Sequence, residues 1–322
     1  MSATRLGVIG YGIMGERLLR AAAAHRSVAV AGVWDPSSEA MGRLKADLPD
    51  VPRLADADAV IAASDCLYVA SPPASHVAYA GAALERGRAV FCEKPLAVDL
   101  AAARGLVEAF EARGGRGAVN FPFASSPAVE QLAAWLRDGA VGAVREVTVE
   151  IAFAAWPRPW QADAAGWLDR REQGGFTREV VSHFLFLCLR LLGPLRLDAG
   201  RASFPEAGRS ERAIAARLDA GGIPVTLAGR VGGTDKADHN LWTAQGERGA
   251  LRLRDWSIAE KRDGDGPFAE APGAIRNEEA RPLVLARQLD KVAALTRGEK
   301  QNLATLRDAL EVQEIVEAIL RS

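Results

Sequence analysis

Residues 7–19 read GVIGYGIMGERLL, and that stretch decides the fold. Gly10, Gly12 and Gly15 satisfy G-x-G-x-x-G between an apolar run that reads as a strand (6–9) and a helix-like stretch (13–24). The three glycines serve different ends. Gly10 permits the tight turn, Gly12 lets a pyrophosphate approach the backbone, and Gly15 lets helix and strand pack closely. The turn residues Gly10, Tyr11, Gly12, Ile13, Met14 and Gly15 are therefore the candidate cradle for a dinucleotide, with the N–H groups of the helix start facing the anion. Glycine-rich turns are common, so the motif alone is weak. Its strength comes from the next strand, VAVAGVW (28–34), which ends at Asp35, 20 residues after Gly15. An acid at that place accepts hydrogen bonds from the adenosine ribose hydroxyls. Asp35 would repel a 2′-phosphate, and Pro36, Ser37 and Ser38 bring no arginine. NAD is favoured over NADP, which stays open because Arg43 or Lys45 could reach round.

Working outward, further apolar runs at 66–70, 89–92 and 118–120 alternate with helix-like stretches at 37–47, 75–86, 99–113 and 125–138. That alternation predicts a doubly wound parallel sheet covered on both faces, an α/β Rossmann domain over residues 1–120. From about residue 144 the pattern changes. VREVTVEIAF is followed by a helix at 177–192, then by RAIAARLDA, IPVTLAGRV, NLWTAQG, GALRLRD and WSIAE with short Gly-rich turns. Successive strands of this kind predict an open, mostly antiparallel sheet in a second, α+β domain over 121–322. The polar, Gly- and Pro-rich segment 262–282 reads as a long loop. Two helices, at 282–297 and 303–320, close the chain and are candidates to pack back on the first domain.

The 322 residues carry a formal net charge of −1, with 49% hydrophobic and 25% charged residues, ordinary for a globular protein. No basic field attracts nucleic acid or an anionic membrane. The longest apolar run, VVSHFLFLCLRLLG, is interrupted by His183 and Arg190 and is shorter than a membrane span. Cys66, Cys92 and Cys188 are scattered and odd in number, which is no disulfide framework, and the four histidines do not join them at a metal-ligand spacing. No metal site is expected. Reduced thiols and the strand pattern beginning almost at residue 1 suggest a cytoplasmic protein.

Two further places carry candidate chemistry. The strand AVFCEKPLA ends in Glu93-Lys94-Pro95. Ligands of open α/β sheets sit at the carboxyl ends of strands, so Lys94 stands where it could exchange a proton with a substrate hydroxyl. On position alone a solvated strand-end lysine is the commoner case. In QGGFTREVVSHFLFLCLRLLG, Glu179 and His183 lie four apart on one face of a nearly apolar helix. A carboxylate and an imidazole there need partners. Spacing does not decide between mutual satisfaction and a polar site.

Together these residues resemble the Gfo/Idh/MocA family, named for glucose–fructose oxidoreductase, inositol dehydrogenase and a rhizopine catabolism protein. The resemblance covers nearly the whole chain. It rests on GVIGYGIMG, SPPASHVAYAGAALERGRAVFCEKPLA, VNFPFASSPAV, QGGFTREVVSH and ALEVQEIVEAIL, the EKP block in register being the most specific piece. It implies an oxidoreductase that moves a hydride between NAD(P) and a hydroxyl or carbonyl carbon of a sugar, cyclitol or similar small polar substrate. It makes Lys94 the proton-transferring residue, with His183 and Glu179 completing the catalytic set, and places Ser71, Pro72, His76, Glu93 and Asn120 along the cofactor. It also implies a homodimer or homotetramer through the C-terminal sheet. The departures are specific. The usual Asp-x-Gly-x-His reads Glu179-Val180-Val181-Ser182-His183, Gln173 replaces the first glycine of the preceding run, and Pro73 and Pro122 replace Asn and Arg. Either the substrate differs from the common sugars or the catalytic set is rearranged. Arg178 could bind an anionic group or be a helix-terminal charge. Trp160, with Trp156, Trp167 and Arg158, could face a sugar ring or pack a loop. The rival functions are reduction of an imine or keto intermediate in biosynthesis, and non-catalytic NAD(P) sensing.

Overall fold

The computed structural model describes residues 3–322, which form two compact units. The first holds the chain up to Ala124 together with Pro282–Leu310; the second holds Ser125–Arg281 and Glu311–Ser322. In the first unit β1 (Thr4–Ile9) runs through the glycine turn into α1 (Ile13–Ala23). β2 (Val28–Trp34) leads to α2 (Ser38–Asp47) and α3 (Ala57–Ala63), β3 (Cys66–Val69) to α4 (His76–Glu85), and β4 (Ala89–Cys92) to α5 (Leu100–Ala112) and β5 (Gly117–Val119). These five strands are parallel in the order β5-β4-β3-β1-β2. The chain steps from β1 to β2 on one side and then crosses to β3 on the other. The ends of β1 and β3 thus flank the point where a doubly wound sheet opens for a ligand. All residues of β3 and β4 are buried, as a sheet covered on both faces requires. Ser37, Asp56 and Asp99 cap α2, α3 and α5 through their side chains, each accepting from a backbone N–H three residues on. The cap at Asp56 accounts for α3, an Ala-rich segment absent from the expected helices.

In the second unit α6 (Pro127–Arg137) precedes β6 (Val144–Phe153) and the short α7 (Ala165–Leu168). The helix expected at 177–192 is two pieces, a π-helical turn at Thr177–Val181 and α8 (Ser182–Leu192). Then follow β7 (Leu195–Ser203), β8 (Ala213–Ala220), β9 (Ile223–Val231), β10 (His239–Gly246), β11 (Gly249–Arg254), β12 (Ile258–Asp263) and β13 (Ala269–Glu270). The sheet order is β13-β12-β11-β10-β6-β9-β8-β7, antiparallel throughout except for the β6–β9 pair. In β9, Val225, Leu227 and Gly229 are buried while Pro224, Thr226, Ala228 and Arg230 are exposed, so one face is covered and the other open. Trp242 of β10 donates its indole N–H to Cys188 Sγ of α8 at 3.3 Å, tying that helix to the covered face. The segment expected as a loop is ordered in part. Phe268 lies 3.8 Å and 5.0 Å from the Arg252 and Arg262 guanidinium carbons, and Glu270 pairs with Arg254 and Arg276. Those cross-strand contacts hold β13 against β12 where glycine and proline content suggested no structure.

The chain closes with α9 (Asn277–Arg297), β14 (Ala304–Thr305) and α10 (Leu306–Arg321). β14 pairs antiparallel with β5 and becomes the sixth strand of the first sheet. Leu289, Val292 and Ala293 of α9 share one apolar core with Leu18, Leu19 and Ala22 of α1 and with Leu6, Val8 and Val33 beneath them. Each fully buried leucine contributes about 1.5–3 kcal/mol. Among the described residues no helix is long and apolar enough to cross a membrane.

Candidate active site

The three glycines of the turn separate cleanly by what surrounds them. Gly10 has φ +103°, and a Cβ there would lie 2.6 Å from the Ala70 carbonyl and the Ser71 nitrogen. A Cβ on Gly15 would lie 2.0 Å from the Gly10 oxygen. Real Cβ contacts are never so short, so both positions are fixed by backbone packing. Around Gly12 a Cβ would meet nothing within 4 Å. No protein atom needs glycine there, yet Gly12 is the N-cap of α1 and offers the first-turn amides no side-chain acceptor. An anion approaching from outside is what the open space and the unserved amides suit.

Asp35 sits beside this turn. Its Oδ2 accepts from the Tyr11 N–H at 2.7 Å and its Oδ1 from the Ser37 N–H at 2.8 Å. The acid thus braces the turn, and with about four lone-pair sites it keeps capacity for two ribose hydroxyls. The Tyr11 ring belongs to the core and its hydroxyl donates to Asp47 at 3.3 Å; burial pushes its pKa up to about 12. Only the Tyr11 backbone faces the turn. Arg43, the residue that kept NADP open, lies on Glu39 at 3.2 Å and on the Tyr11 carbonyl at 3.5 Å.

At the ends of β3, β4 and β5 the expected residues form one polar system. Glu93 Oε1 accepts from the Tyr68 hydroxyl and from Asn120 Nδ2, each at 2.5 Å, and Asn120 Oδ1 accepts from Gln288 of α9 at 2.6 Å. Burial, reinforced by the Glu93 charge, holds the Tyr68 hydroxyl protonated well above its ordinary pKa of 10. Lys94 follows directly, half-buried, with a cis peptide to Pro95. The His76 ring is fully buried, its Nε2 2.8 Å from the Ser71 carbonyl and its Nδ1 2.8 Å from the Pro95 carbonyl. Burial pushes the His76 pKa below its usual value; the two carbonyls pull it back and the Lys94 charge lowers it again. His76 therefore straps the loop after β3 to the turn that carries Lys94. Ser71 Oγ pairs with Ser75 Oγ at 2.7 Å, and the Pro72 carbonyl accepts from Ser75 Oγ at 2.8 Å.

The second unit gathers its own cluster. Arg158, only 6% exposed, donates Nε to Gln161 Oε1 at 2.8 Å and NH1 to Asp238 Oδ2 at 2.6 Å. Its NH2 lies 3.8 Å from Glu179 Oε1, which also accepts from Gln161 Nε2 at 3.3 Å. Asp238 Oδ2 accepts in addition from the Trp256 indole N–H at 3.1 Å, and the Trp256 ring meets the buried His183 ring edge-on at 5.5 Å. Glu179 stands in the π-helical turn, a distortion that recurs at functional sites. Val181, in the place where glycine is usual, is fully buried. Trp160 is 43% exposed with the Arg158 guanidinium 4.7 Å from its ring, whereas Trp156 packs inside with Phe153 and Phe176. Arg178 is bidentate to Glu317 at 2.6 and 2.9 Å and also donates to the Arg171 and Gly174 carbonyls. These contacts tie Arg178 to α10 and to the loop before the π-helical turn.

Asp238, Asn240, Gln161 and Trp256 were not singled out from the sequence. One signal existed for Asp238: a buried Arg158 needs a carboxylate. Nothing local says which of 41 acids supplies it. Among the described residues no group of three or more His, Cys, Asp or Glu is placed to hold a metal ion.

Comparison with known proteins supplies a frame for this geometry. The model of an oxidoreductase family with an NAD-binding Rossmann fold, GFO_IDH_MocA, matches residues 4–121. An inositol 2-dehydrogenase of Cereibacter sphaeroides is 39% identical over 116 residues, 35% of this chain and 34% of that relative. The match thus spans about a third of that relative's length. A dTDP-3,4-didehydro-2,6-dideoxy-alpha-D-glucose 3-reductase of Streptomyces antibioticus is 28% identical over 260 residues, 77% of this chain and 75% of that one. An oxidoreductase of Agrobacterium radiobacter, solved with NAD+, L-tartaric acid and magnesium, superposes with a TM-score of 0.85 at 19% identity, covering 100% of this chain and 96% of the other. That likeness extends the shared fold through both units. The glycine turn, the strand-end acid and the EKP block all lie within the matched segment, so residues 4–121 are similar to the NAD-binding Rossmann domain of that oxidoreductase family.

Proposed function

We propose that the chain is an NAD-dependent dehydrogenase acting on a hydroxyl carbon of a sugar or cyclitol. The first unit would bind the dinucleotide and the second would recognise the substrate. The observation that carries the reading is Gly12, the one glycine of the turn that no protein atom requires. The fit is good: Gly12 and the amides of Ile13, Met14 and Gly15 would take the pyrophosphate, and Asp35 the adenosine ribose. When bound, the nicotinamide supplies the hydride acceptor.

The chain's own residues do the rest. Lys94 takes the hydroxyl proton as the carbonyl forms, and returns it in the reverse direction. Glu93, fixed by Tyr68 and Asn120, keeps the strand end that bears Lys94 in one conformation. His183 and Glu179 orient the substrate hydroxyl. Arg158 is matched by two carboxylates, so the cluster offers no spare positive charge and suits a neutral polyol better than an acid. Trp160 supplies an apolar face for ring C–H groups. The buried, unpaired thiols fit a reducing cytoplasm, and the open face of the second sheet suits self-association into a dimer or tetramer.

Titration with NAD+ and NADP+, followed by NADH absorbance with myo-inositol and a panel of sugars, tests this directly. Binding of NAD+ with turnover of at least one polyol is expected. No binding of either nucleotide would overturn the reading. A second reading, reduction of a keto group on a nucleotide-linked sugar, is favoured by the longer match to the Streptomyces reductase. Consumption of NADH with keto sugars, and no activity on polyols, would select it.

A further inference from the structure

Asp238 belongs to no motif, yet it is the point at which the second unit's cluster converges. One oxygen, Oδ2, accepts from Arg158 NH1 at 2.6 Å and from Trp256 Nε1 at 3.1 Å. The first contact leads through the guanidinium and Gln161 to Glu179. The second leads through the indole to the edge of His183. Asn240 braces both: its Nδ2 donates to Asp238 Oδ1 at 3.1 Å and its Oδ1 accepts from the Trp256 backbone N–H at 2.9 Å.

The backbone shows what this convergence costs. Asp255 and Trp256, between β11 and β12, have φ of +49° and +70°, and they are the only non-glycine residues described with positive φ. A β-turn here could have used glycine without strain. A bulky tryptophan in the left-handed region is strained and persists only where the surroundings over-determine it. Two hydrogen bonds to Trp256, one to its backbone and one to its ring, do so.

We propose that Asp238 is a positioning residue that sets Glu179 through Arg158 and His183 through Trp256, so that the two substrate-orienting groups share one anchor. The proposal rests on the reading of Glu179 and His183 given above. Asp238 needs no contact with substrate for this role. It also explains how a glutamate, one methylene longer than the usual aspartate, is held in place: Gln161 and Arg158 both meet its Oε1.

The test is the 322-residue chain carrying Asp238→Asn, which keeps the shape and removes the charge, beside Trp256→Phe, which keeps an aromatic ring and removes the indole donor. With ¹³C-labelled histidine and ¹⁵N-labelled tryptophan, His183→Gln and Trp256→Phe assign the His183 and Trp256 signals. In Asp238→Asn both signals should move, and in Trp256→Phe the His183 signal should move. Neither measurement needs a substrate. With myo-inositol as the probe, kcat should fall about 10- to 100-fold in Asp238→Asn while the KM for NAD+ stays within about twofold. The two substitutions combined should cost less than the product of their separate effects. If Asp238→Asn or Trp256→Phe folds and leaves the His183 signal in place, the shared anchor is refuted, and a lowered Tm with unchanged kcat says the same. If wild-type protein turns over neither polyol nor keto sugar while the His183 signal moves as expected, the positioning stands and the enzymatic reading is what fails.

Discussion

The glycine turn and the Arg158 cluster are both polar assemblies, but they are built over different lengths of chain. The turn uses residues 10–15 and one acid at 35, all joined by a single strand-helix-strand passage. The cluster draws Arg158, Gln161, Glu179, His183, Asp238 and Trp256 from a loop, a helical turn, a helix and the flanks of two strands. A site built from neighbours in sequence constrains spacing and can be recognised as a motif. A site built from distant segments constrains only residue type, and its members become visible when the sheet brings them together. The contrast also predicts how each will fail. The turn should break by steric intrusion at single positions. The cluster should break by leaving charges without partners.

The largest effect expected sits beside the turn. Lys94→Ala should lower kcat by about 10²- to 10⁴-fold, the usual worth of a positioned proton-transfer group, with NAD+ affinity unchanged by titration. Full turnover in that variant would remove the mechanism. Next comes Gly15→Ala, whose Cβ would be forced against the Gly10 oxygen at 2.0 Å. Overpacking of this kind costs about 1–3 kcal/mol or more, read as a lowered denaturation midpoint. Gly12→Ala is its control, because the added methyl meets nothing in the protein. Its stability should stay within about 0.5 kcal/mol of wild type while NAD+ affinity falls about tenfold. A Gly12→Ala protein that binds NAD+ normally would place the pyrophosphate elsewhere.

The smallest effect concerns two acids joined by Ser210. Burial would raise the Asp169 pKa, but hydrogen bonds from Arg212 and Ser210 outweigh it and hold the carboxyl below its ordinary value. Glu211 lies the other way: burial raises it, only partly offset by Thr177, whose backbone N–H and hydroxyl both donate to Oε1 at 2.6 Å. A depressed carboxylate contributes stability above its unfolded pKa that is lost as pH falls. A raised one contributes stability below its unfolded pKa, near 4.5, that is lost as pH rises through the folded value. Glu211→Gln should therefore remove a loss of stability on raising the pH above about 4.5, seen in denaturant melts at a series of pH values. An unchanged pH slope in Glu211→Gln would refute the assignment.

What could be read from sequence follows the same division. The strand ending at Ile9, the strand ending at Trp34 and the helix from Ile13 were legible because LGVI and VAVAGVW are uninterrupted apolar runs and the glycine turn punctuates the first. The second sheet was legible as a class. Its edge strand β7 was not, because LRLDAGRAS is half polar and carries Gly200 within it. α3 was missed because seven mostly small residues give no amphipathic period. Glu179 and His183 could be named from spacing and resemblance. Their shared neighbour Asp238 could not, since the 55 residues from His183 to Asp238 include three strands whose register no local pattern fixes.

Glu317 lies in the last turns of α10 and grips Arg178, whose neighbour is Glu179. α10 is therefore a structural keystone for a residue encoded 139 positions earlier. Unwinding the last turns of α10 would leave the buried Arg178 guanidinium without its carboxylate, and the π-helical turn that carries Arg178 and Glu179 would loosen with it.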